Sequence, residues 1–300
     1  MKIAAIGIGS NSVRMLVALV EDGRATRVRR DRAGTRLFAG LDEKRNLSRE
    51  AMDATVQVVR EMALSALEEG AQEVRLFATS ATRDAANRAE FARLLQEQAG
   101  LQLEICSGEE EATLSFLGAT GGGFCGVVDI GGGSTEIVVG NEHDIRCAFS
   151  CQMGAVRLAG RVPITAHGDL QPVIDLAGDI LDHKLREHPT LTLPERWYGT
   201  GGTFTTLGAM LLGVHWTDRT YMHGTVLPYE EIERRAWQLS DMSLEERKRI
   251  PGLQPNRVDI IVHGICILLA VMRRLNIKEI TVSEMGNLDG YIRDRYHVQW

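Results

Sequence analysis

The chain has 300 residues, 44% of them hydrophobic and 25% charged, which suits two globular domains with their own cores and excludes a disordered chain. Its net charge of −6 argues against general nucleic-acid binding, so a polyanionic ligand has to meet a local basic patch. No window approaches the roughly 20 uninterrupted apolar residues of a membrane span, so no membrane partner is expected.

Met1-Lys2-Ile3 enters directly into a strand, with no secretory leader pattern, which predicts a cytoplasmic protein. The strand ends in Gly9-Ser10-Asn11-Ser12, a turn rich in glycine and polar side chains, and a second apolar strand follows from Met15 to Val20. Arg24, Arg27, Arg29, Arg30, Arg32 and Arg36 then crowd one short stretch that reads as a strand edge guarded by charge. Ser48 predicts a helix cap, and the helix runs to Glu69 with Gly70 as its stop. Its positions Met52, Val56, Val59, Ala63, Ala66 and Leu67 share one core-facing side. A strand over Val74 to Ala78, a helix from Asp84 or Asn87 to Gln98, a strand from Leu101 to Cys106 and a helix from Glu109 to Leu117 complete the first half.

Gly121-Gly122-Gly123 predicts a flexible joint, giving domains at 1–121 and 122–300. The second half opens on a strand, a Gly131-Gly132-Gly133-Ser134-Thr135 turn and a strand to Val139, with a third strand near Ile145 to Cys151. A helix from Gln171 to Glu187, a strand before Gly199, a helix from Thr205 to Leu212 and an apolar helix from Val258 to Leu275 follow. The chain closes on a strand over Glu279 to Ser283 and a helix from Leu288 to Tyr296. Alternating strands and helices give an α/β class with mixed sheets.

The two halves are copies. Ile6 to Arg14 lies in register with Val128 to Glu136, and Val74 to Ala81 matches Glu195 to Gly202 at nearly the same offset. Each glycine-rich turn can close backbone N–H groups and hydroxyls on a phosphate, so two facing turns would form a clamp. The copy fails at one position that matters. Asp129 ends the first strand of the second copy as a carboxylate able to hold a metal ion, and its counterpart in the first copy is Gly7.

The five cysteines, Cys106, Cys125, Cys147, Cys151 and Cys266, are odd in number and form no C-x-x-C pair, so neither a disulfide framework nor a zinc site is expected. The eight histidines show no metal-ligand spacing. Gly199-Thr200-Gly201-Gly202-Thr203 reads as close strand–helix packing slightly ahead of a cleft lining.

Several ordered motifs together resemble the exopolyphosphatase and guanosine pentaphosphate phosphatase (Ppx/GppA) family. They are Gly9 to Arg14, Thr35-Arg36-Leu37, Ala78 to Ala85, Ser107 to Ala112, Asp129 to Glu136, Gly154 to Leu158 and Thr281-Val282-Ser283. The chain ends where the family's short, two-domain members end. The resemblance implies two duplicated actin-like domains (ribonuclease H-like, of the sugar kinase/Hsp70/actin superfamily) with an interdomain cleft, where a terminal phosphoryl group is hydrolysed with Mg²⁺. Implied substrates are inorganic polyphosphate, guanosine pentaphosphate or both, the length of the protein chain favours short polyphosphate or a nucleotide over long polyphosphate, and a homodimer is a family-level expectation.

Carried over by motif, Glu111 is the catalytic base that positions water, while Glu109 and Glu110 serve the helix dipole. Asp129 and Glu136 are the metal residues. Gly9, Ser10, Asn11, Ser12, Gly131, Gly132, Gly133, Ser134 and Thr135 bind phosphate, with Arg83 the first and Arg36 the second guanidinium grip. Arg157 is expected to pair with an internal carboxylate.

The family normally has aspartate at position 7, so Gly7 offers no ligand. Three readings follow: a natural low-activity or binding member, an engineered inactive variant, or an active enzyme with water in place of the side chain. Glu284-Met285-Gly286-Asn287 also lacks the family's arginine. The leading function is therefore a phosphohydrolase acting on polyphosphate or guanosine pentaphosphate, with its level of activity left open by Gly7. The alternatives are a non-catalytic binder of the same polyanions and an actin-like kinase or ATPase, against which the Ser107 to Ala112 motif argues.

Overall fold

The computed structural model describes residues 1–120, 122–164 and 170–300; Gly121, the first residue of the expected joint, lies outside them. The chain divides into two compact units, Met1–Gly118 with Asn287–Trp300, and Ala119–Gly286. Among the described residues no helix is long and apolar enough to cross a membrane.

The first unit is built on a five-stranded sheet in the order β3-β2-β1-β4-β5. β1 (Lys2–Ile8), β2 (Val13–Glu21) and β3 (Arg24–Ala33) pair antiparallel with one another in that order, and β4 (Glu73–Ala78) and β5 (Leu103–Ile105) extend the sheet beyond β1 in parallel with it. β1 is apolar from Ile3 onward because it is the middle strand, buried on both faces. On one face α1 (Arg49–Glu68) and α3 (Arg88–Ala99) pack Met52, Val56, Val59 and Phe91 against Ala4, Ile6 and Leu76. Ser48 caps α1 as expected, its side chain accepting from the Ala51 N–H.

The helix expected from Asp84 or Asn87 to Gln98 is α3, which starts after Asn87, and a further short helix precedes it. α2 (Ser80–Asp84) ends at Ala85, which is extended, and the Asn87 side chain bonds both backbone groups of Leu47 instead of capping α3. α4 (Gly108–Ala119) completes this part of the chain.

The second unit carries a six-stranded sheet, β10-β11-β9-β6-β7-β8, built from β6 (Cys125–Ile130), β7 (Thr135–Gly140), β8 (Ile145–Cys151), β9 (Trp197–Thr200), β10 (Val226–Pro228) and β11 (Glu279–Val282). Its helices are α5 (Ala155–Arg161), α6 (Leu170–Leu185), α7 (Gly202–Leu212), α8 (Arg219–Met222), α9 (Tyr229–Ser240), α10 (Leu244–Arg247) and α11 (Ile261–Arg274). α11 is the apolar helix expected from Val258, but it starts later because Pro255–Arg257 first makes a 3-10 turn.

The strand orders β3-β2-β1-β4-β5 and β8-β7-β6-β9-β11 correspond, so the duplication extends from motifs to topology, with β10 added at one edge. The register sharpens the match. Gly7 stands opposite Arg14 and beside Phe77, and Asp129 stands opposite Glu136 and beside Thr200. Phe77 therefore corresponds to Thr200, two residues beyond the sequence match, an even shift that keeps side chains on the same faces.

The boundary expected at 121/122 leaves out one feature. α12 (Asn287–Tyr296) and the residues after it pack on the first sheet, where Leu288, Tyr291, Ile292 and Val298 meet Ile3, Ala5, Leu16 and Phe77. The arginines of β3 help to hold that segment. Arg27 and Arg30 reach Asp289 at 2.8 and 2.6 Å, and Arg27 lies over the Trp300 ring at 4.2 Å. Backbone bonds tie Ala25 and Gly23 to Gln299 at 2.7 and 3.0 Å. Arg27 and Arg30 are thus docking contacts, while Arg24 and Arg36 stay exposed and β3 remains the edge strand of its sheet. All five cysteines are free and buried.

Candidate active site

In the first unit the parallel strands β1, β4 and β5 end at one edge, the usual place for ligands in such sheets. The turn after β1 is closed by the Gly9 N–H on the Ser12 carbonyl at 3.0 Å. A second layer braces it, with the Arg36 N–H on the Asn11 carbonyl at 3.1 Å and the Phe38 N–H on the Ser10 carbonyl at 2.9 Å. Arg36 sits in a left-handed conformation and stands exposed beside the turn. Asn11 is buried, yet among the described residues its amide oxygen and nitrogen have no hydrogen-bond partner. The hydroxyls of Ser80 and Thr82 at the start of α2, and of Thr35 before Arg36, are in the same condition. Buried polar groups are nearly always satisfied, so such a concentration at one sheet edge marks a place for a polar ligand.

The neighbouring helix starts add charge. Ser107 and Glu110 form a capping box, the Glu110 N–H on the Ser107 hydroxyl at 3.1 Å and the Ser107 N–H on the Glu110 carboxylate at 2.7 Å. Glu110 is thereby assigned to capping. Glu111, one residue on, is only 6% exposed and turns onto Arg83, whose Nη1 donates to its Oε2 at 2.9 Å and to the Cys106 carbonyl at 3.1 Å. Arg83 thus meets the expected base directly, where the sequence assigned it to a phosphate.

The second unit repeats the turn: the Gly131 N–H meets the Ser134 carbonyl at 3.0 Å. Here the bracing comes from α5, an element the sequence reading did not contain. The Ala155 N–H bonds the Gly131 carbonyl at 3.0 Å, and the Val156 and Arg157 N–H groups bond Gly132 at 2.9 and 3.0 Å. Arg157 also donates Nε–H to the Gly133 carbonyl at 2.6 Å, so this guanidinium supports the loop itself. A Cβ on Gly154 would lie 2.3 Å from the Gly132 carbonyl, which explains the glycine in Gly154 to Leu158. The Thr135 hydroxyl donates to the Met153 carbonyl at 2.5 Å, and Ser134 is buried at the turn.

Asp129 and Glu136 are cross-strand partners, 8% and 1% exposed, and directly opposed residues share a face. Gly201, with φ +92°, passes beside them; a Cβ there would lie 2.6 Å from Asp129 Oδ1. The Gly199 to Thr203 segment therefore lines the carboxylate as well as packing closely. Among the described residues no three Asp, Glu, His or Cys side chains form a metal cage. Two hard carboxylates on one face do fit Mg²⁺, which commonly takes one or two protein carboxylates and completes its shell with water and phosphate oxygens.

The equivalent position in the first unit is walled. A Cβ on Gly7 would meet Phe77 Cζ at 3.0 Å and Leu288 Cδ2 at 3.5 Å, and the Phe77 ring stacks on Tyr291 at 4.5 Å between centroids. Across the strand Arg14 donates to the Asn287 side chain at 2.9 Å. The two copies have thus diverged in charge: Gly7 and Arg14 in one, Asp129 and Glu136 in the other.

A model of the Ppx/GppA phosphatase family matches residues 16–298. Exopolyphosphatase 2 of Mycobacterium tuberculosis is 35% identical, over 96% of this chain and 97% of that protein. Among solved structures, the Ppx/GppA enzyme of Aquifex aeolicus is 29% identical with a TM-score of 0.81, covering 98% of this chain and 99% of that one. An exopolyphosphatase from Cytophaga hutchinsonii, 24% identical, shares the fold with a TM-score of 0.89 over 100% of this chain and 99% of its own.

Proposed function

Because the chain belongs to the Ppx/GppA phosphatase family, we propose that it hydrolyses the terminal phosphoanhydride bond of inorganic polyphosphate, with guanosine pentaphosphate as a second candidate substrate. Water attacks the terminal phosphorus, the anhydride P–O bond breaks, the water proton passes to Glu111, and the shortened chain leaves as its phosphate anion. Arg83 fixes the Glu111 carboxylate and with it the direction in which that proton is accepted. Pairing with a guanidinium weakens a base, but phosphoryl transfer depends more on alignment and charge neutralisation than on base strength. The Gly9 and Gly131 N–H groups close their own turns and the Thr135 hydroxyl is taken by Met153, so the donors left for phosphate oxygens are the remaining turn N–H groups and the Ser10, Ser12 and Ser134 hydroxyls, with Arg36 exposed beside the first turn. Mg²⁺ held by Asp129 and Glu136 would neutralise charge on the non-bridging oxygens.

The observation that carries this reading is Glu111 itself: a buried carboxylate, exempt from capping because Glu110 fills that role, and held by a guanidinium at the edge where polar groups lack partners. Phosphate release from a short polyphosphate and from guanosine pentaphosphate, with and without Glu111→Gln, tests it. Absence of Mg²⁺-dependent release from either substrate would reject it. One observation favours a second reading, a non-catalytic polyphosphate binder: the walled Gly7. Tight polyphosphate binding without turnover at any Mg²⁺ concentration would select that reading.

A further inference from the structure

Ser150 lies one strand beyond the acidic pair. The register of the second sheet sets Thr200 of β9, Asp129 of β6, Glu136 of β7 and Ser150 of β8 in one row, each the partner of the next. Ser150 Oγ–H donates to Glu136 Oε1 at 2.7 Å. β8 is the last strand of the sheet, and Ser150 is only partly buried there, whereas Glu136 is 1% exposed.

The first unit shows that this hydroxyl is not a requirement of the sheet. Its corresponding row is Phe77, Gly7, Arg14 and Arg32, so arginine occupies the place of Ser150 and faces an arginine instead of a glutamate. The hydroxyl occurs in the copy that has the carboxylate. Physically, Glu136 has three side-chain torsions and a like-charged neighbour directly across the strand, an arrangement that drives two carboxylates apart. A hydroxyl donating to Oε1 fixes the carboxylate plane. Hydrogen-bonded partners of this kind orient metal ligands and raise affinity.

We propose that Ser150 is a positioning residue that holds Glu136 in the orientation in which Asp129 and Glu136 share a divalent cation. The proposal rests on the reading of Asp129 and Glu136 as the metal residues, and it deepens that reading by naming what sets the metal affinity. Its signature is a change in metal affinity without a change in polyphosphate binding in the absence of metal.

The test uses the full chain and Mn²⁺ as a spectroscopic stand-in for Mg²⁺, with free Mn²⁺ followed by electron paramagnetic resonance and no substrate present. Ser150→Ala, Ser150→Thr and Ser150→Val are compared, because Thr and Val have nearly the same shape and differ in the hydroxyl. Loss of a second-layer partner predicts Mn²⁺ binding weaker by about 10-fold or more in the Ala and Val variants, with Thr near the original. In phosphate release the same two variants need correspondingly more Mg²⁺, with kcat recovered at saturation. Equal Mn²⁺ affinity in all four proteins overturns the proposal, as does equal weakening by Thr and Val, or no Mn²⁺ binding by the unaltered chain. Because binding is read without substrate, a chain that binds Mn²⁺ but releases no phosphate defeats the hydrolase reading and leaves the role of Ser150 measurable.

Discussion

A methyl group placed on Gly7 would stand 3.0 Å from the Cζ of Phe77, and Phe77 cannot turn away freely because its ring lies 9° from coplanar with Tyr291. The missing carboxylate at position 7 is therefore joined to a packed aromatic wall. The surrounding residues of β1, β4 and α12 have closed around a glycine.

Gly7→Asp alone is accordingly expected to lower stability, by about 1–3 kcal/mol as for other overpacked sites, without raising the rate of phosphate release. Gly7→Asp combined with Phe77→Leu opens room for the side chain and should release phosphate faster than Gly7→Asp. Urea melts and polyphosphate assays on the single and double variants decide this. A tenfold gain in kcat from Gly7→Asp, with an unchanged melt, would show that the wall is no constraint.

Glu111→Gln preserves shape and a hydrogen-bond acceptor for Arg83 while removing the base. The expected loss in kcat is about 10²–10⁴-fold, the usual contribution of a general base, with KM nearly unchanged. Arg83→Met leaves a buried carboxylate without this 2.9 Å partner and should also destabilise the fold, by about 1–3 kcal/mol. A Glu111→Gln enzyme that keeps most of its kcat would move the base elsewhere.

Much of this site was legible because its chemistry lies in short turns. Gly9 to Ser12 and Gly131 to Thr135 are runs of glycine and polar residues that signal tight turns locally, and their repetition marks the duplicated topology. What the sequence did not show depends on contacts far along the chain. α5 braces the second turn through backbone N–H groups, which leave little side-chain signal except Gly154. α12 follows the last strand of the second unit yet packs on the first, because its apolar side fits Ile3, Leu16 and Phe77 and Asp289 answers Arg27 and Arg30. The pairing of Arg83 with Glu111, and of Ser150 with Glu136, becomes visible only once strand register is known.

His263 gives a pH dependence with a definite sign. Burial lowers its pKa below the ordinary 6.5, and the hydrogen bond to the Val162 carbonyl at 2.9 Å and the nearby Asp259 only partly oppose this, while Arg247 adds to it. Between the folded and unfolded pKa values the unfolded chain binds the proton and the folded chain does not. Its contribution to stability is thus complete above about pH 6.5 and is lost as pH falls below it, by at most about 1.4 kcal/mol per pH unit. Urea melts at pH 7.5, 6 and 5 should show a smaller acid-side loss in His263→Gln, which has an amide to offer Val162. Parallel losses in the two proteins would remove His263 as a source of acid sensitivity.

Two glycines six residues apart separate loop geometry from helix propensity. At Gly154 an added Cβ would lie 2.3 Å from the Gly132 carbonyl and 2.4 Å from the Gly133 nitrogen, both backbone atoms of the turn that carries the expected phosphate groups. Either the turn or α5 has to move, and each N–H of α5 now bonded to Gly131 or Gly132 moves with it. At Gly160, inside α5, nothing lies within 4 Å of the same addition. Gly154→Ala should cost about 1–3 kcal/mol and abolish most phosphate release, because the strain falls on the turn itself. Gly160→Ala should be neutral to stabilising by about 0.5–1 kcal/mol and leave activity intact, since alanine in a helix interior loses less backbone entropy than glycine. Thermal melts and phosphate release on both variants check the pair. A Gly154→Ala protein of normal stability and normal activity would mean that the α5 brace does not set the conformation of the second turn.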